Sequence, residues 1–344
     1  MAEPPVTVEL PANLSYSQQS SLLECGGRYY LERAQKVPQR PSWAGIGGSA
    51  AHSTTEELDR RLYEAGEHID SLDEIRGLFE SFFEQQIRKE EGAHLDEIDR
   101  TTRFDRSEFR ASGRASREFP EKENHAWWLQ KGPEMVLSWV RWRDNASSVW
   151  TIAEVYQPFT CPSCEGAGQN QGGPCGMCAG AGEAAEPALA IELETRPKVA
   201  GVEVVGYVDR VLVAETEDGP VYRVLDLKFG SYEPKSDEQL VDYRVGLREG
   251  YGIDPKWGTF WMGRKGMNTP DSDLHATPYS AVEYRYRMAH EQRMRGDFRY
   301  KPGNLCGSCS VKDYCPVMGG QYADTIPQPW EISGVSLRPP RDRV

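Results

Sequence analysis

The sequence predicts an α/β protein in which helices flank a mixed central sheet, with one helical subdomain and a cysteine-rich insertion. Three observations lead to this prediction. Two apolar, strand-like runs surround an acidic turn between Gly206 and Lys228. Helix-start patterns of the type Ser-x-x-Gln or Ser-x-x-Glu recur along the chain. The eight cysteines fall into two sets of four, and one set lies within a short segment between two strand-like runs.

Composition restricts the class of protein. Of the 344 residues, 38% are hydrophobic and 27% are charged, which is typical of a globular chain rather than a disordered one. No apolar run approaches the length of a membrane span, and the first residues lack the basic and apolar parts of a secretory signal, so the cytoplasm is the expected location. The net charge of -13 argues against a protein that coats nucleic acid non-specifically, and any such contact would need a local basic track.

The N-terminal part is expected to contain two helices. The pattern Ser15-x-x-Gln18 predicts the start of the first, and Cys25 in this segment, taken alone, is a small core residue. A glycine-rich stretch then leads to Ser53-x-x-Glu56, which predicts the start of the second helix. His52 would therefore lie at the beginning of that helix, where a capping or surface histidine is the simpler interpretation.

The next segments are predicted to be mainly helical. Residues 72–92 form one helix, and four tryptophans between positions 121 and 143 recur in a helical pattern that favours core positions over base stacking. Between them, five arginines would share an arc of about 80° if their segment were helical. They are Arg103, Arg106, Arg110, Arg114 and Arg117. They form either a solvated face paired with nearby carboxylates or a stripe that contacts DNA phosphates.

The cysteine-rich insertion interrupts two strands. A strand from Ser148 to Phe159 carries Glu154, and a strand resumes at Leu189. Between them lie two Cys-x-x-Cys-x-Gly-x-Gly units, whose cysteines are Cys161, Cys164, Cys175 and Cys178. In a cytosolic chain this spacing is typical of a zinc site. The two units also resemble the zinc-binding repeats of DnaJ.

The hairpin that follows carries charges where apolar residues would fit better. Asp209 lies in its first strand and Asp226 in its second, and Lys228 shares a face with Asp226 because side chains alternate along a strand. Charges in apolar strands are costly unless they are paired or hold a metal. The hairpin therefore holds either an ion pair on an exposed face or a divalent cation that activates water.

The C-terminal third is predicted to contain two further helices. The pattern Ser236-x-x-Gln239 would cap the first, with Gln239 and Tyr243 on one face, and Ser280-x-x-Glu283 would cap the second. Cys306, Cys309 and Cys315 come next. Residues 321–344 are Pro-rich and are expected to be poorly ordered.

Taken in order, these residues resemble one nuclease family. Gly206-Tyr-Val-Asp209, Leu225-Asp226-Leu-Lys228-Phe-Gly230 and Gln239-x-x-x-Tyr243 resemble motifs of the RecB-like branch of PD-(D/E)XK nucleases. Gly48-x-x-x-His52 looks like the metal-binding histidine motif of that branch. The similarity covers most of residues 14–318 and implies a PD-(D/E)XK restriction-endonuclease-like core.

The resemblance also implies roles for the site residues. Asp209, Asp226 and His52, with the carbonyl of Leu227, would hold Mn²⁺ or Mg²⁺. Lys228 would orient the attacking water or stabilise charge on the phosphate, and Gln239 and Tyr243 would hold the substrate or Lys228.

A supporting carboxylate is also expected, and Glu154, Glu192 and Glu194 compete for that role. The sequence departs from the common pattern with Asp-x-Lys in place of Glu-x-Lys and with Phe229 where threonine is common. Aspartate still binds metal ions, so an active enzyme is expected.

The outer cysteines are Cys25, Cys306, Cys309 and Cys315. Four thiolates suit either a structural zinc or an iron–sulfur cluster. The set resembles the iron–sulfur staple known from AddB and from CRISPR-adaptation nucleases, so a 4Fe-4S cluster is expected, while Zn²⁺ is expected in the insertion.

These interpretations define domain boundaries. Residues 1–13 form an N-terminal arm, 14–320 the nuclease domain and 321–344 a tail. Within the domain, the helical part covers about 54–145, the zinc-binding insertion about 160–183, the catalytic core about 186–250 and the iron–sulfur part about 280–318.

The implied function is a metal-dependent deoxyribonuclease, an exonuclease rather than an endonuclease, acting on DNA ends or single strands in phage or bacterial recombination or repair. DNA, and a recombination or repair protein, are the expected partners, with no membrane. The alternatives are a non-catalytic DNA-end-binding or adaptor protein that retains the fold, and a zinc-dependent chaperone module supported by residues 161–182 alone. The intact Asp209, Asp226 and Lys228 argue against both.

Overall fold

A computed structural model describes residues 6–92, 104–113, 115–120, 122–170 and 173–338. Within them the main sheet is mixed and has seven strands in the order β13-β12-β11-β10-β2, with β14 also paired to β12 and β7 to β10. The strands are β1 (Val6–Pro11), β2 (Thr151–Ile152), β3 (Glu154–Thr160), β4 (Gln169–Asn170), β5 (Gly173–Pro174), β6 (Glu183–Leu189), β7 (Ile191–Thr195), β8 (Lys198–Val199), β9 (Val202–Glu203), β10 (Gly206–Thr216), β11 (Gly219–Lys228), β12 (Trp257–Met262), β13 (Met267–Asn268), β14 (Ser272–Asp273) and β15 (Ile332–Arg338).

Seven α-helices lie in the same described residues. They are α1 (Tyr16–Glu24), α2 (Gly26–Tyr29, continued as a π-helix over Tyr30–Ala34), α3 (Trp43–Ala65), α4 (Leu72–Gly92), α5 (His125–Ala146), α6 (Glu238–Tyr251) and α7 (Tyr279–Met294). Among these helices none combines the length and the apolar character that a membrane span requires.

The predicted central hairpin is confirmed. Strands β10 and β11 pair antiparallel from Arg210 and Leu225 down to the turn at Thr216 and Gly219. Strand β12 then pairs parallel to β11, and α6 lies between these two strands in the chain. A parallel pair needs such a crossover connection because its two strands run in the same direction.

Strand alternation places a hydrophobic core on each face of the sheet. Leu212, Leu225 and Leu227 belong to the core that includes side chains of α3, α4 and α5. Val211 and Val224 belong to the second core, which includes side chains of α1, α6 and α7. Both faces are therefore buried in the middle of the hairpin, and this explains the apolar runs at residues 211–213 and 224–225.

The helix over residues 72–92 is confirmed, and so is the first helix start, where the Oγ atom of Ser15 accepts a hydrogen bond from Gln18 N. The predicted start at Ser53 is wrong. Helix α3 begins at Trp43, and its cap, Ser42, lies eleven residues before Ser53. Gly47 lies inside this helix. A larger residue would not fit there, because a Cβ atom would be 2.0 Å from Trp128 Cδ2. Gly47 therefore permits close packing, the glycine-rich stretch is helical rather than a loop, and His52 lies mid-helix.

The two predicted C-terminal helix caps are also wrong. Helix α6 begins at Glu238 after Asp237, and α7 begins at Tyr279, so Ser280 lies within the helix. In α6 the side chain of Gln239 is bonded to Lys228 and Tyr243. A side chain with these partners does not close a capping box.

The predicted arginine stripe does not form in the described part of its segment. Between residues 104 and 120 the regular structure is a 3-10 turn over Arg106–Glu108, capped by Asp105 through Ser107 N. This reciprocal capping box closes a single turn, so the helical spacing that would align the arginines does not apply. Arg103 and Arg114 lie outside the described residues. Trp128 and Trp139 are core residues, as predicted.

The two ends of the described chain meet. Strands β1 and β15 pair in parallel, with Val8 opposite Val335 and Leu10 opposite Leu337. The expectation of a poorly ordered tail is therefore wrong as far as Arg338, and residues 339–344 lie outside the described part. Ile332 and Val335 pack against the main core, which provides the burial that the Pro-rich composition did not indicate.

Candidate active site

The central carboxylates meet at the open end of the hairpin. Asp209 and Asp226 occupy the next position along the two strands beyond the Arg210–Leu225 pair, on the side away from the turn, and both side chains are buried. The Oδ2 atom of Asp209 accepts a hydrogen bond of 2.7 Å from Leu227 N. This bond fixes Asp209 across the strand pair, so the two predicted aspartates do lie together.

His52 and Glu192 join Asp209 in a cluster of potential ligands. The Nδ1 atom of His52 is 3.6 Å from Asp209 Oδ2 and 3.8 Å from Glu192 Oε1. The three ligand atoms all lie within 4.8 Å of one another. About a third of the His52 side chain is exposed (32%), as is 27% of Glu192, so the cluster has an open side. The ring of Phe229 stands edge-on to the His52 imidazole at 5.2 Å and orients it.

Of the three competing carboxylates, the structure brings Glu192 to the cluster. Glu154 is exposed on β3, and Glu194 pairs with Arg196. Glu192 has a φ of 50°, a left-handed conformation that is uncommon for a residue other than glycine. Glutamates at 192 and 194 would share one face of a regular strand, so the sequence pattern does not separate them. The left-handed backbone conformation of Glu192 does separate them, because it interrupts the regular alternation.

Lys228 belongs to a closed ring of contacts beside this cluster. Its Nζ atom is 2.6 Å from Asp226 Oδ2 and donates to Gln239 Oε1 at 3.1 Å. Gln239 Nε2 donates to the Tyr243 hydroxyl at 2.7 Å, and that hydroxyl donates to Asp226 Oδ1 at 3.4 Å. The prediction that Asp226 and Lys228 share a face is confirmed. Gln239 contacts Lys228 directly, in keeping with one of its two predicted roles.

Burial and neighbouring charges shift the pKa values in this site. Burial and the charge of Asp226 raise the pKa of Asp209 to about 7. Burial opposes the charged form of His52, but the carboxylates of Asp209 and Glu192 outweigh it and raise the histidine pKa. Burial likewise opposes the charge of Lys228, but Asp226 and Asp209 raise the pKa of its ammonium group. The carboxylates of the site therefore favour positively charged groups next to them.

The residues present fit a divalent metal ion. The Oε1 atom of Glu192 is buried and accepts no hydrogen bond, although Arg210 Nη1 and His52 Nδ1 lie 3.5 Å and 3.8 Å from it. A buried carboxylate oxygen without a donor is costly, and a cation satisfies it. The ligand set of carboxylate oxygens with one imidazole suits Mn²⁺ or Mg²⁺, with the nitrogen favouring Mn²⁺. A role for the carbonyl of Leu227 stays a prediction.

The inner cysteines form a compact second site. Sulfur atoms of Cys161 and Cys175 are 3.8 Å apart, and those of Cys164 and Cys178 are 3.7 Å apart. Four sulfurs in a tetrahedron at about 2.3 Å from zinc are about 3.8 Å from each other, so these distances match. Backbone N–H groups of Cys178 and Met177 lower the pKa of Cys175 to about 6, which favours the thiolate.

The outer cysteines also gather, but less tightly. Burial raises the pKa of the Cys315 thiol, and the nearby Cys309 and Cys25 raise it further, so three of the four share one neighbourhood. Cys306 lies in the 3-10 turn that ends at Cys309. In the described part of the chain, two groups have all their potential ligand atoms within 4.8 Å, and the outer cysteines are not among them.

Two of the five predicted arginines have local partners. Arg106 forms ion pairs with Glu84, at 2.7 Å, and with Glu91. Arg110 donates to the backbone carbonyls of Arg40 and Ser308, next to Cys309. Arg117 is exposed. These contacts account for Arg106 and Arg110 without DNA, and phosphate binding by the arginines stays a prediction.

Two comparisons with known proteins match nearly the whole chain. A family model described as the PD-(D/E)XK nuclease superfamily matches residues 13–316. The Gene 69 protein of Mycobacterium phage L5 is 28% identical over 332 residues, which cover 88% of this chain and 96% of that protein.

Proposed function

This chain belongs to the PD-(D/E)XK nuclease superfamily, and we propose that it is a deoxyribonuclease of the RecB-like branch that requires Mn²⁺ or Mg²⁺. The observation that carries the proposal is the meeting of the His52–Glu192–Asp209 cluster with the Asp226–Lys228 pair at one end of the hairpin. Similarity to a phage protein supports a phage setting for its action. We further propose an exonuclease that acts on DNA ends or single strands during recombination or repair.

Four side chains would hold the metal ion: His52, Glu192, Asp209 and Asp226, of which Glu192 fills the role of supporting carboxylate. When bound, the ion polarises the phosphoryl group and lowers the pKa of the attacking water. Asp209 and Asp226 are held for this role by Leu227 N and by Tyr243 and Lys228, respectively.

Lys228 would stabilise charge that develops on the phosphate. The charges of Asp226 and Asp209 raise its pKa, so its side chain is a cation at neutral pH and does not act as a base. Its contacts with Asp226 and Gln239 fix the ammonium group at the site before substrate arrives. Such a fixed charge stabilises a transition state because it needs no reorganisation during the reaction.

Cleavage of end-labelled DNA tests the proposal. Purified protein is incubated with single-stranded, duplex and circular DNA in the presence of Mn²⁺, Mg²⁺ or EDTA. We expect cleavage with either metal ion, none with EDTA, and no cleavage by Asp226→Ala. Lys228→Ala should be slower by about a hundred-fold or more, as for the loss of one electrostatic contact in the transition state.

Lys265→Ala is the matched control, because Lys265 is an exposed lysine paired with Glu233 and should keep the parent rate. Undiminished Mn²⁺-dependent cleavage by Asp226→Ala would contradict the assignment. Resistance of circular DNA, with release of label from ends first, would identify an exonuclease. Parent protein that binds DNA ends but cleaves no DNA with either ion would instead favour the non-catalytic alternative.

We also propose two structural metal centres. The sulfur distances in the insertion support Zn²⁺ bound by Cys161, Cys164, Cys175 and Cys178. The looser spacing of Cys25, Cys306, Cys309 and Cys315 supports a larger group, and we propose a 4Fe-4S cluster there. Because the outer set draws ligands from both ends of the chain, that cluster would form only in the folded protein.

A further inference from the structure

Arg210 is a fully buried arginine next to a candidate metal ligand. Its Nε atom is 2.7 Å from Asp59 Oδ2, and its Nη1 atom donates to Asp209 O at 2.6 Å. The same Nη1 atom is 3.5 Å from Glu192 Oε1. One guanidinium group therefore contacts the backbone of one candidate ligand and the side chain of another.

The same group also reaches the residue that supports the third ligand. Its Nη2 atom lies 3.5 Å from Thr55 Oγ1, and this hydroxyl donates to the carbonyl of His52 at 2.9 Å. His52 and Thr55 belong to α3, Glu192 to β7 and Asp209 to β10. Arg210 thus connects the three separate elements that carry the cluster.

Arg210 places a positive charge beside Glu192. Asp59 is shared, because Arg143 Nη1 also binds it at 2.9 Å, and Arg143 pairs with Asp144 at 2.9 Å as well. Asp59 and Asp144 therefore balance the two buried arginines, and Glu192 adds a further carboxylate 3.5 Å from the charge of Arg210. Glu192 holds its uncommon left-handed backbone conformation next to this charge. Such conformations persist where surrounding contacts fix them.

We propose that Arg210 is a positioning residue that fixes His52, Glu192 and Asp209 in the geometry that binds the metal ion. It acts through the ligands and does not touch the ion or the DNA. Because His52, Thr55 and Asp59 lie on α3, the ion site would be complete only with this helix docked on β10. This inference rests on the proposed metal-dependent function.

A calorimetric titration of the full-length protein with MnCl₂ tests this role without using nuclease activity. Arg210→Lys keeps the charge but loses the planar fork that reaches several acceptors. We expect it to weaken Mn²⁺ affinity by about ten- to a hundred-fold, as for the loss of an outer contact that orients metal ligands. The matched control is Arg143→Lys, which alters the other buried arginine on Asp59. It should change the affinity by less than about three-fold, since Arg143 does not contact the ligands.

A double-variant cycle shows whether Arg210 acts through Glu192. Glu192→Gln should weaken Mn²⁺ binding. The double variant with Arg210→Lys should have a fold-loss of Mn²⁺ affinity smaller than the product of the two single fold-losses. Equal affinities of Arg210→Lys and Arg143→Lys, or fully multiplicative effects in the double variant, would overturn the proposal.

If Arg210→Lys does not fold, Thr55→Val removes only the link to His52. It should weaken Mn²⁺ binding by about three-fold or more, and an unchanged affinity would again overturn the proposal.

Failure of the proposed function has a different signature in the same titration. Parent protein that binds no Mn²⁺, or Asp209→Asn protein that binds it as tightly as the parent, would refute the metal site itself. A normal parent titration that depends on Asp209, with no effect of Arg210→Lys, would refute the positioning role alone.

Discussion

The carboxyl group of Asp209 determines how the metal-free site responds to pH. Burial and the charge of Asp226 raise its pKa to about 7, whereas the pKa of an aspartate in an unfolded chain is about 3.9. A carboxyl group whose pKa is raised on folding contributes stability that is fully present below the unfolded pKa and is lost as pH rises through the folded pKa. Without added divalent ions, the contribution of Asp209 to stability should therefore be lost between about pH 4 and pH 7, as this buried group becomes charged.

Asp209→Asn should stabilise the metal-free protein at pH 8 while it abolishes Mn²⁺ binding. The amide removes the buried charge and keeps an oxygen that can accept from Leu227 N. The gain in the free energy of unfolding should be about 1 to 4 kcal/mol at pH 8, and it should vanish near pH 4. Urea unfolding at both pH values, without added divalent ions, measures it.

Asp218→Asn is the control, since this exposed aspartate lies in the turn of the same hairpin and should leave stability unchanged. A less stable Asp209→Asn protein at pH 8 would show that the carboxylate is not destabilising in the folded protein.

Single residues differ in how well sequence predicts them. The shared face of Asp226 and Lys228 could be predicted because side chains alternate along one strand, whereas the place of Asp209 beside them also depends on the register of the hairpin. Glu192 could not be separated from Glu194, because a left-handed backbone conformation decides between them. The position of His52 within its helix was predicted wrongly because glycines usually weaken a helix, whereas here Gly47 lies inside it and packs on Trp128.

At the scale of elements, the insertion is a ladder with two matching loops. Strands β3 and β6 pair over their whole length, from Glu154 and Leu189 to Thr160 and Glu183. The loops carry the two Cys-x-x-Cys units, and their glycines approach each other closely. A Cβ atom on Gly168 would lie 2.4 Å from Gly180 O, and one on Gly182 would lie 2.4 Å from Gly166 O. The repeated motif was readable in the sequence because a local site needs few long-range contacts.

Gly168→Ala should therefore disrupt the zinc site. Gly168 has a φ of 69°, which disfavours alanine, and the added Cβ would collide with the opposite loop. Purified variant protein should contain much less than one zinc ion per chain and as much iron as the parent, as the two proposed centres require when measured by elemental analysis.

Gly176→Ala is the matched control in the same insertion, because a Cβ atom there meets nothing within 4 Å. Full zinc content in Gly168→Ala would contradict the packing argument, and loss of iron would contradict the independence of the two centres.

At the scale of the whole molecule, several contacts join the two ends of the chain. Besides the β1–β15 pair, Arg40 forms an ion pair of 3.0 Å with Asp313, and Ser310 Oγ donates to Glu32 Oε1 at 3.0 Å. The sequence predicted this closure through the outer cysteines alone. It did not predict the strand pair, because contacts between distant segments have no local periodicity that would reveal them.

Cys306→Ser should remove iron and sulfide from anaerobically purified protein, leave zinc in place and lower the urea midpoint of unfolding. Metal binding stabilises the folded state because the ligands come together only there. The strand pair and the ion pairs should keep the variant folded without urea.

Ser308→Ala changes a neighbour in the same turn and serves as the control, with unchanged iron. Zinc in place of iron at the outer cysteines of the parent would contradict the cluster assignment.

The β1–β15 pair also has a consequence during synthesis of the chain. Ser336 Oγ lies 3.5 Å from Val8 O although 328 positions separate the two residues. At roughly 5 to 20 residues per second, a ribosome needs about 16 to 66 s to translate the residues between them. During this time the β1 segment has no partner strand, and unpaired strand edges pair readily with other chains. On a polysome such edges from successive nascent chains are close together, so the rate of translation would influence how much of the protein escapes aggregation.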